Sequence, residues 1–234
     1  MSAEHVIRPV AFYRGDLPEK FGIPRQAGLA PSLEGLVVFT PEYRDREALR
    51  GIEGFERLWL LWQFSENLRE GFSPTVRPPR LGGNVRMGVF ATRSPFRPNS
   101  LGLSCVELKA VEEREGLGTV LVVRGADLMD GTPIFDIKPY VPYADSWPDA
   151  RAGFAPDAGG TLAVDCPPAL LEKLPPDKRA ALSELLSRDP RPRYQNDPER
   201  VYALDYAGYT VRFRAGDGGL RVTAIDPRGA PEKA

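Results

Sequence analysis

A mainly β fold is predicted, a β-barrel followed by a small α+β unit, and three observations predict it. Twenty-four prolines and 23 glycines cut the 234 residues into short pieces, which excludes long helices over most of the length. The apolar pieces between them are bounded by turn residues, as strands are. About seven such pieces precede residue 150, a number that suits a barrel or a sandwich.

Taken in order, the predicted strands fall at residues 6–14, 36–40, 55–64, 88–91, 101–111, 119–124 and 134–141. A short helix at 46–50 precedes the third. That third piece, FERLWLLWQF, is apolar on both faces after Leu58 and reads as a wall strand buried on two sides. Trp59 and Trp62 within it read as core. Residues 147–168 then turn to Pro, Asp, Gly and Ala. A first domain is therefore expected over 1–150, a linker over 151–168 and a second domain over 169–234. In the second domain Ala181, Leu182, Leu185 and Leu186 follow at helical spacing, with Asp177 as the expected N-cap. Strands at 201–204, 208–213 and 220–225 complete it, the last two joined by a hairpin through Asp217, Gly218 and Gly219.

Composition narrows the chemistry. The 31 basic and 32 acidic residues give a net charge of −1, so nothing draws the whole chain to nucleic acid or to an anionic membrane. His5 is the only histidine, which removes histidine-based acid–base and triad mechanisms. Cys105 and Cys166, without partner spacing, suit a reducing compartment and form no zinc motif, so no metal is expected. No apolar run approaches the ~20 residues of a membrane span, and no leader pattern opens the chain, so a cytoplasmic location is expected. No G-x-G-x-x-G or P-loop frame is present, which argues against a Rossmann-type cofactor site.

Charge is nevertheless patterned. Residues 71–106 carry Arg77, Arg80, Arg86, Arg93 and Arg97 and no acid, interleaved with Pro, Gly, Asn and Ser. Arginines on loops pair bidentately with phosphates, and RNA is the natural partner; a solvated basic loop is the plainer alternative. Residues 125–149 invert the sign with Asp127, Asp130, Asp136, Asp145 and Asp149. Asp130-Gly131-Thr132-Pro133 is a turn signature. Asp136 and Lys138 on one strand form either a site or an ordinary surface ion pair. Pro24-Arg25-Gln26 lies on a loop, where Gln26 suits a base edge or an amino-acid head group and Arg25 a carboxylate or phosphate.

Several stretches together resemble one family. They are Pro24-Arg25-Gln26, the segment RGIEGF at 50–55 running into Leu58-Trp59, RPPRLGGNVRMGVFATRSPFRPNSLGLS at 77–104, and DGTPIFDIKPYVPYADS at 130–146. In this order they resemble TrmO, the tRNA (N6-threonylcarbamoyladenosine-37) N6-methyltransferases. The match covers roughly residues 6–149; DPRPRY at 189–194 is similar, more weakly, to the extra domain of bacterial members.

The resemblance implies a β-barrel methyltransferase that works as a homodimer with S-adenosylmethionine near the subunit interface. It implies cofactor contacts at Pro24, Arg25, Gln26, Ser65, Glu66, Arg93, Leu103, Asp130, Gly131, Thr132 and Pro133. Ser65 stands where many relatives carry histidine, so that residue's role does not transfer. For catalysis Asp136 is the expected proton acceptor, with Lys138 and Tyr140 orienting it or holding the substrate's carboxylate. The anticodon loop is expected on Arg77, Arg80, Arg86, Arg97, Arg191 and Arg193. A small-molecule methyltransferase and a non-catalytic binding module remain as alternatives.

Overall fold

The computed structural model describes residues 5–67, 71–191, 197, 199–216 and 218–229; Arg193, Tyr194 and Asp217 lie outside the described residues. Along the first half, strands form at β1 (Ala11–Gly15), β2 (Glu34–Phe39), β3 (Arg57–Gln63), β4 (Thr75–Val76), β5 (Met87–Gly88), β6 (Leu101–Arg114), β7 (Gly118–Arg124) and β8 (Pro133–Pro139). Six of them close an antiparallel barrel in the order β1-β2-β7-β6-β3-β8, while β4 and β5 make a separate two-stranded ribbon.

Alternation builds the barrel. Ala11 and Tyr13 point inward from β1, and Leu58, Leu60 and Trp62 from β3, joined by Val37, Val106, Leu121, Val123 and Ile134 in one core. Burying each of these leucines contributes about 2 kcal/mol. A six-stranded barrel has little interior room, and glycine supplies it. The Trp62 ring lies over Gly102, where a Cβ would come within 2.4 Å of it, and the Tyr13 ring lies over Gly15 and Gly35.

The second unit contains α2 (Pro168–Leu171), α3 (Pro176–Ser187) and β9 (Ala163–Asp165), β10 (Tyr202–Tyr206), β11 (Tyr209–Gly216) and β12 (Gly219–Pro227), preceded by the short α1 (Pro142–Asp145). Its sheet runs β10-β11-β12-β9, with β9 parallel to β12. Leu182, Leu185 and Leu186 of α3 pack on Leu204, Val211, Phe213, Val222 and Ile225. No helix among the described residues is long and apolar enough to cross a membrane.

Five expectations are corrected. The first strand begins at Ala11, not at residue 6. Of residues 88–91 only Gly88, the end of β5, is in a strand: after it the chain winds into one 3-10 turn, Val89–Ala91, closed by the backbone N–H and hydroxyl of Thr92 on the Val89 carbonyl at 3.2 and 2.8 Å. Strand β3 is buried on the inner face only; Trp59 and Leu61 stay half-exposed on the outer wall. The stretch read as a linker contributes β9, because a chain passing the open edge of β12 satisfies backbone groups there. Asp177 lies in the first turn of α3 rather than at its cap, since Pro176 fits the first helical position, where no N–H is needed.

Candidate active site

The 16–33 connection between β1 and β2 has no strand or helix of its own, yet it touches the segments around Glu66, Arg93, Gly125 and Asp130. Gly28 N–H donates to the Gly125 carbonyl at 2.8 Å, and the Leu17 carbonyl accepts from Asp130 N–H at 2.8 Å. Gly125 takes a left-handed φ of 70°, which favours glycine there, and packs closely on Gly28. Lys20 Nζ donates to the Glu66 carbonyl at 2.7 Å. The Arg93 guanidinium donates to Gln26 Oε1, and Gln26 Nε2 to the Arg25 carbonyl. Residues 24–28, 65–66, 93 and 125–132, scattered over more than a hundred positions, thus meet at one rim of the barrel.

Inside that rim runs a chain of polar groups. Trp62 Nε1 donates to Ser104 Oγ at 2.9 Å, and Ser104 Oγ donates to Asp127 Oδ1. Burial pushes the Asp127 carboxyl above its ordinary range, while Ser104, the Ala27 N–H and the Arg93 charge act the other way without cancelling it. Asp127, placed beside Gln26 and Arg93, is the residue that sequence reasoning grouped with its acidic neighbours but did not assign to the site. Its signal was the sign reversal between the arginine block and the acidic block.

The turn Asp130–Pro133 is stapled to β1. Asp130 Oδ1 accepts from Gly15 N–H at 3.1 Å, Gly131 N–H donates to the Tyr13 carbonyl at 2.8 Å, and Thr132 Oγ1 to Met129 O at 2.7 Å. Gly131 takes a left-handed φ of 81°, which explains glycine there. Pro18, Glu19, Lys20, Phe21, Glu66 and Met129 line an open cavity of about 380 Å³ next to this turn. Pro24 is buried, Arg25 exposed, and Ser65 half-buried; Leu103 points outward from β6 with 56% of its surface exposed.

Asp136, Lys138 and Tyr140 are placed elsewhere. Asp136 and Lys138 form an ion pair at 3.2 Å on the outer wall, with Ile137 N–H on Asp136 Oδ1 at 2.9 Å. Asp136 stands opposite Leu61, which in turn stands opposite Leu103. Tyr140 packs on Trp59 at a centroid distance of 5.9 Å, and Trp59 Nε1 donates to Asp145 at 3.0 Å. At about 3.4 Å per residue, Asp136 lies about 10 Å along β8 from Pro133 and Tyr140 more than 20 Å. The three residues do not join the rim cluster within one chain.

The two units match two family models. Residues 12–146 match the tRNA-methyltransferase O N-terminal domain and residues 161–228 the TrmO C-terminal domain. The chain belongs to the TrmO family. The tRNA (adenine(37)-N6)-methyltransferase of Escherichia coli K12 is 43% identical over 228 residues, covering 94% of this chain and 97% of that protein. The Eikenella corrodens protein of the same name is 44% identical, covering 73% and 97%. A crystal structure of TrmO from Pseudomonas aeruginosa superposes with a TM-score of 0.79 at 32% identity, over 95% of this chain and 98% of that one. In this TrmO member the arginines differ in setting. Arg77 and Arg86 are exposed, the latter with one bond to Thr75 Oγ1 at 3.2 Å. Arg80 is engaged by Asp157, with contacts of 2.6 and 2.7 Å. Arg97 braces its own loop through the Thr92 carbonyl at 2.7 Å and lies over the Phe90 ring. Arg191 grips Asp189 at 2.7 and 3.1 Å and is largely buried.

Proposed function

We propose that this TrmO member transfers the methyl group of S-adenosylmethionine to N6 of adenosine 37 in tRNA, on a base already bearing the threonylcarbamoyl group. The observation that carries this reading is the match to both TrmO domains, together with 43% identity to a tRNA (adenine(37)-N6)-methyltransferase over nearly the whole chain. A Pseudomonas aeruginosa relative, 40% identical, is named for S-adenosylmethionine-dependent methyl transfer.

The rim residues fit such a cofactor chemically. Arg93 suits its carboxylate, the Gln26 amide its amino-acid or base edge, and the Asp127 and Asp130 carboxylates its ammonium or ribose hydroxyls. Ser65, Glu66 and Gly131 to Pro133 complete the site on the rim, and Leu103, on the outer wall, joins it from a partner copy. When bound, S-adenosylmethionine supplies an electrophilic methyl on a sulfonium, so N6 gains the new N–C bond as the S–C bond breaks. The protein's task is alignment and exclusion of water. N6 also loses a proton, and the Asp136 carboxylate accepts it, with Lys138 paired to Asp136 at 3.2 Å to orient it and Tyr140 orienting the substrate.

This assignment needs two copies of the chain. Asp136 lies about 10 Å from the rim along its strand, while Leu61, Leu103 at 56% exposed, and the stacked pair Phe72 and Phe90 leave an apolar outer surface. A homodimer covering that surface brings one protomer's outer wall to its partner's rim. Arg77 and Arg86 then hold phosphates of the anticodon loop, helped by Arg80, Arg97 and Arg193, while Arg191 is committed to Asp189. The enzyme acts in the cytoplasm, with its tRNA substrate.

Methyl transfer from labelled S-adenosylmethionine tests the proposal, using tRNA with and without threonylcarbamoyl on adenosine 37 and nucleoside mass analysis. Label on the modified adenosine alone is expected. Cofactor binding without transfer to either tRNA would overturn it.

A further inference from the structure

The connection carrying Pro24, Arg25 and Gln26 is built largely into the core of the other domain. Leu17, Ala30 and Leu33 are each 1% exposed and belong to the C-terminal cluster, not to the barrel core. Phe21 stacks on Phe213 at 6.4 Å, and at Gly22 (φ 94°) a Cβ would lie 2.1 Å from Leu204. Polar groups add direction. Glu184 of α3 takes both Ser32 donors, the backbone N–H at 2.8 Å and the hydroxyl at 2.7 Å. Lys178 of the same helix pairs with Asp16 at 2.6 Å, and the Asp16 carbonyl accepts from Ala207 N–H at 2.9 Å. Arg25 reaches the Asp189 carbonyl at 3.4 Å.

An 18-residue connection without regular structure has no conformation of its own to fall back on, so its anchors decide where its middle stands. Here the side chains near both ends, Asp16 with Leu17 and Ala30 with Ser32 and Leu33, are held by α3 and the C-terminal sheet, while the Leu17 and Leu33 carbonyls accept from Asp130 and Gly125 N–H at 2.8 and 2.9 Å. The middle is left to meet Arg93 and Gly125 at the barrel rim. We infer that the C-terminal domain sets the cofactor site, with Glu184 as a positioning residue whose grip on Ser32 fixes Gln26 against Arg93. The domain therefore governs cofactor affinity independently of any contact with tRNA. The inference rests on the reading of residues 24–26 as cofactor-binding.

The test uses the full chain with Glu184→Ala, Glu184→Gln, Ser32→Ala and the Glu184→Ala/Ser32→Ala double variant, and Arg93→Ala as the direct probe of the site. Dissociation constants for S-adenosylmethionine come from calorimetry and for tRNA from filter binding, with thermal unfolding recorded for each. Glu184→Ala is expected to weaken cofactor binding about five- to tenfold. It should raise KM for S-adenosylmethionine while kcat at saturation and tRNA affinity hold. Glu184→Gln should restore most of the loss, since it keeps an acceptor for Ser32, and the double variant should lose no more than the worse single one. Where Glu184→Ala does not fold, Ser32→Ala, which removes one hydroxyl, carries the test with a smaller effect in the same direction. Unchanged cofactor affinity in a folded Glu184→Ala, with Arg93→Ala weakened, would overturn the inference. So would equal losses of cofactor and tRNA affinity that follow the melting temperature. Unchanged cofactor affinity in Arg93→Ala would instead remove the reading of the site itself.

Discussion

Arg93 donates its guanidinium proton to the Gln26 carboxamide, and this contact joins the loop after the first strand to the arginine block 67 residues further along. Neither side chain is buried, so the pair is open to a ligand. Arg93→Ala is expected to weaken S-adenosylmethionine binding about tenfold. Arg93→Lys should recover little, because an ammonium lacks the planar fork that meets a carboxylate and a carboxamide together. Calorimetric titration distinguishes this from a spectator arginine, for which both variants would bind as wild type.

Asp127 should make stability depend on pH in an unusual direction. Burial raises its carboxyl in the folded protein. A group with a folded value above its unfolded one, about 3.9, holds more protons when folded. Its contribution to stability therefore falls as pH rises from about 4 through the folded value, then stays level. Asp127→Asn removes that titration. The melting temperature of Asp127→Asn minus that of wild type should become more positive between pH 4 and pH 8; a difference that is flat or declines would show that this carboxyl is not raised.

Arg191 is expected to matter for stability and not for RNA. Its side chain is 14% exposed, bonded twice to Asp189, and its guanidinium lies over Tyr202 at 5.9 Å. Arg191→Ala leaves the Asp189 carboxylate short of its partner, at a cost of about 1–3 kcal/mol. Denaturant unfolding measures this. A tRNA affinity that drops while stability holds would return Arg191 to the RNA-binding surface.

Exposed Arg77 and Arg86 should instead report on phosphates. Removing each is expected to lower the slope of log affinity against log salt by about 1, uniformly across tRNA sequences. Arg97→Ala should act differently, because that guanidinium holds the Thr92 and Val89 carbonyls of its own loop. Its loss should loosen the 89–100 segment as well as tRNA binding, visible as faster hydrogen exchange there. Filter binding across a salt series gives the slopes.

Most barrel strands were legible in the sequence because alternation and turn residues act locally: Ala11 and Tyr13 declare a buried face at every second position, whereas the outward exposure of Trp59 and Leu61 on β3 was not legible from its apolar run. The motifs were legible for the same reason, being short runs whose residue types survive without knowledge of the fold. Local rules stopped where partners are distant. The sequence read residues 88–91 as a strand, but the ribbon partner β4 ends the pairing at Gly88 and Thr92 closes a turn over 89–91 instead. It read 151–168 as a linker, but the open edge of β12 drew in residues 163–165. It assigned Arg80, Arg97 and Arg191 to tRNA, without showing the acceptor that the fold supplies to each. By itself, then, the sequence determined a mainly β chain in two units and the motifs that mark the TrmO family. Only the tertiary structure decided that Asp127 stands beside Arg93, that Asp136 stands apart on the outer wall, and that Leu17 and Leu33 belong to the C-terminal core. Those relationships depend on contacts between residues tens to more than a hundred positions apart, and barrel closure fixes them together.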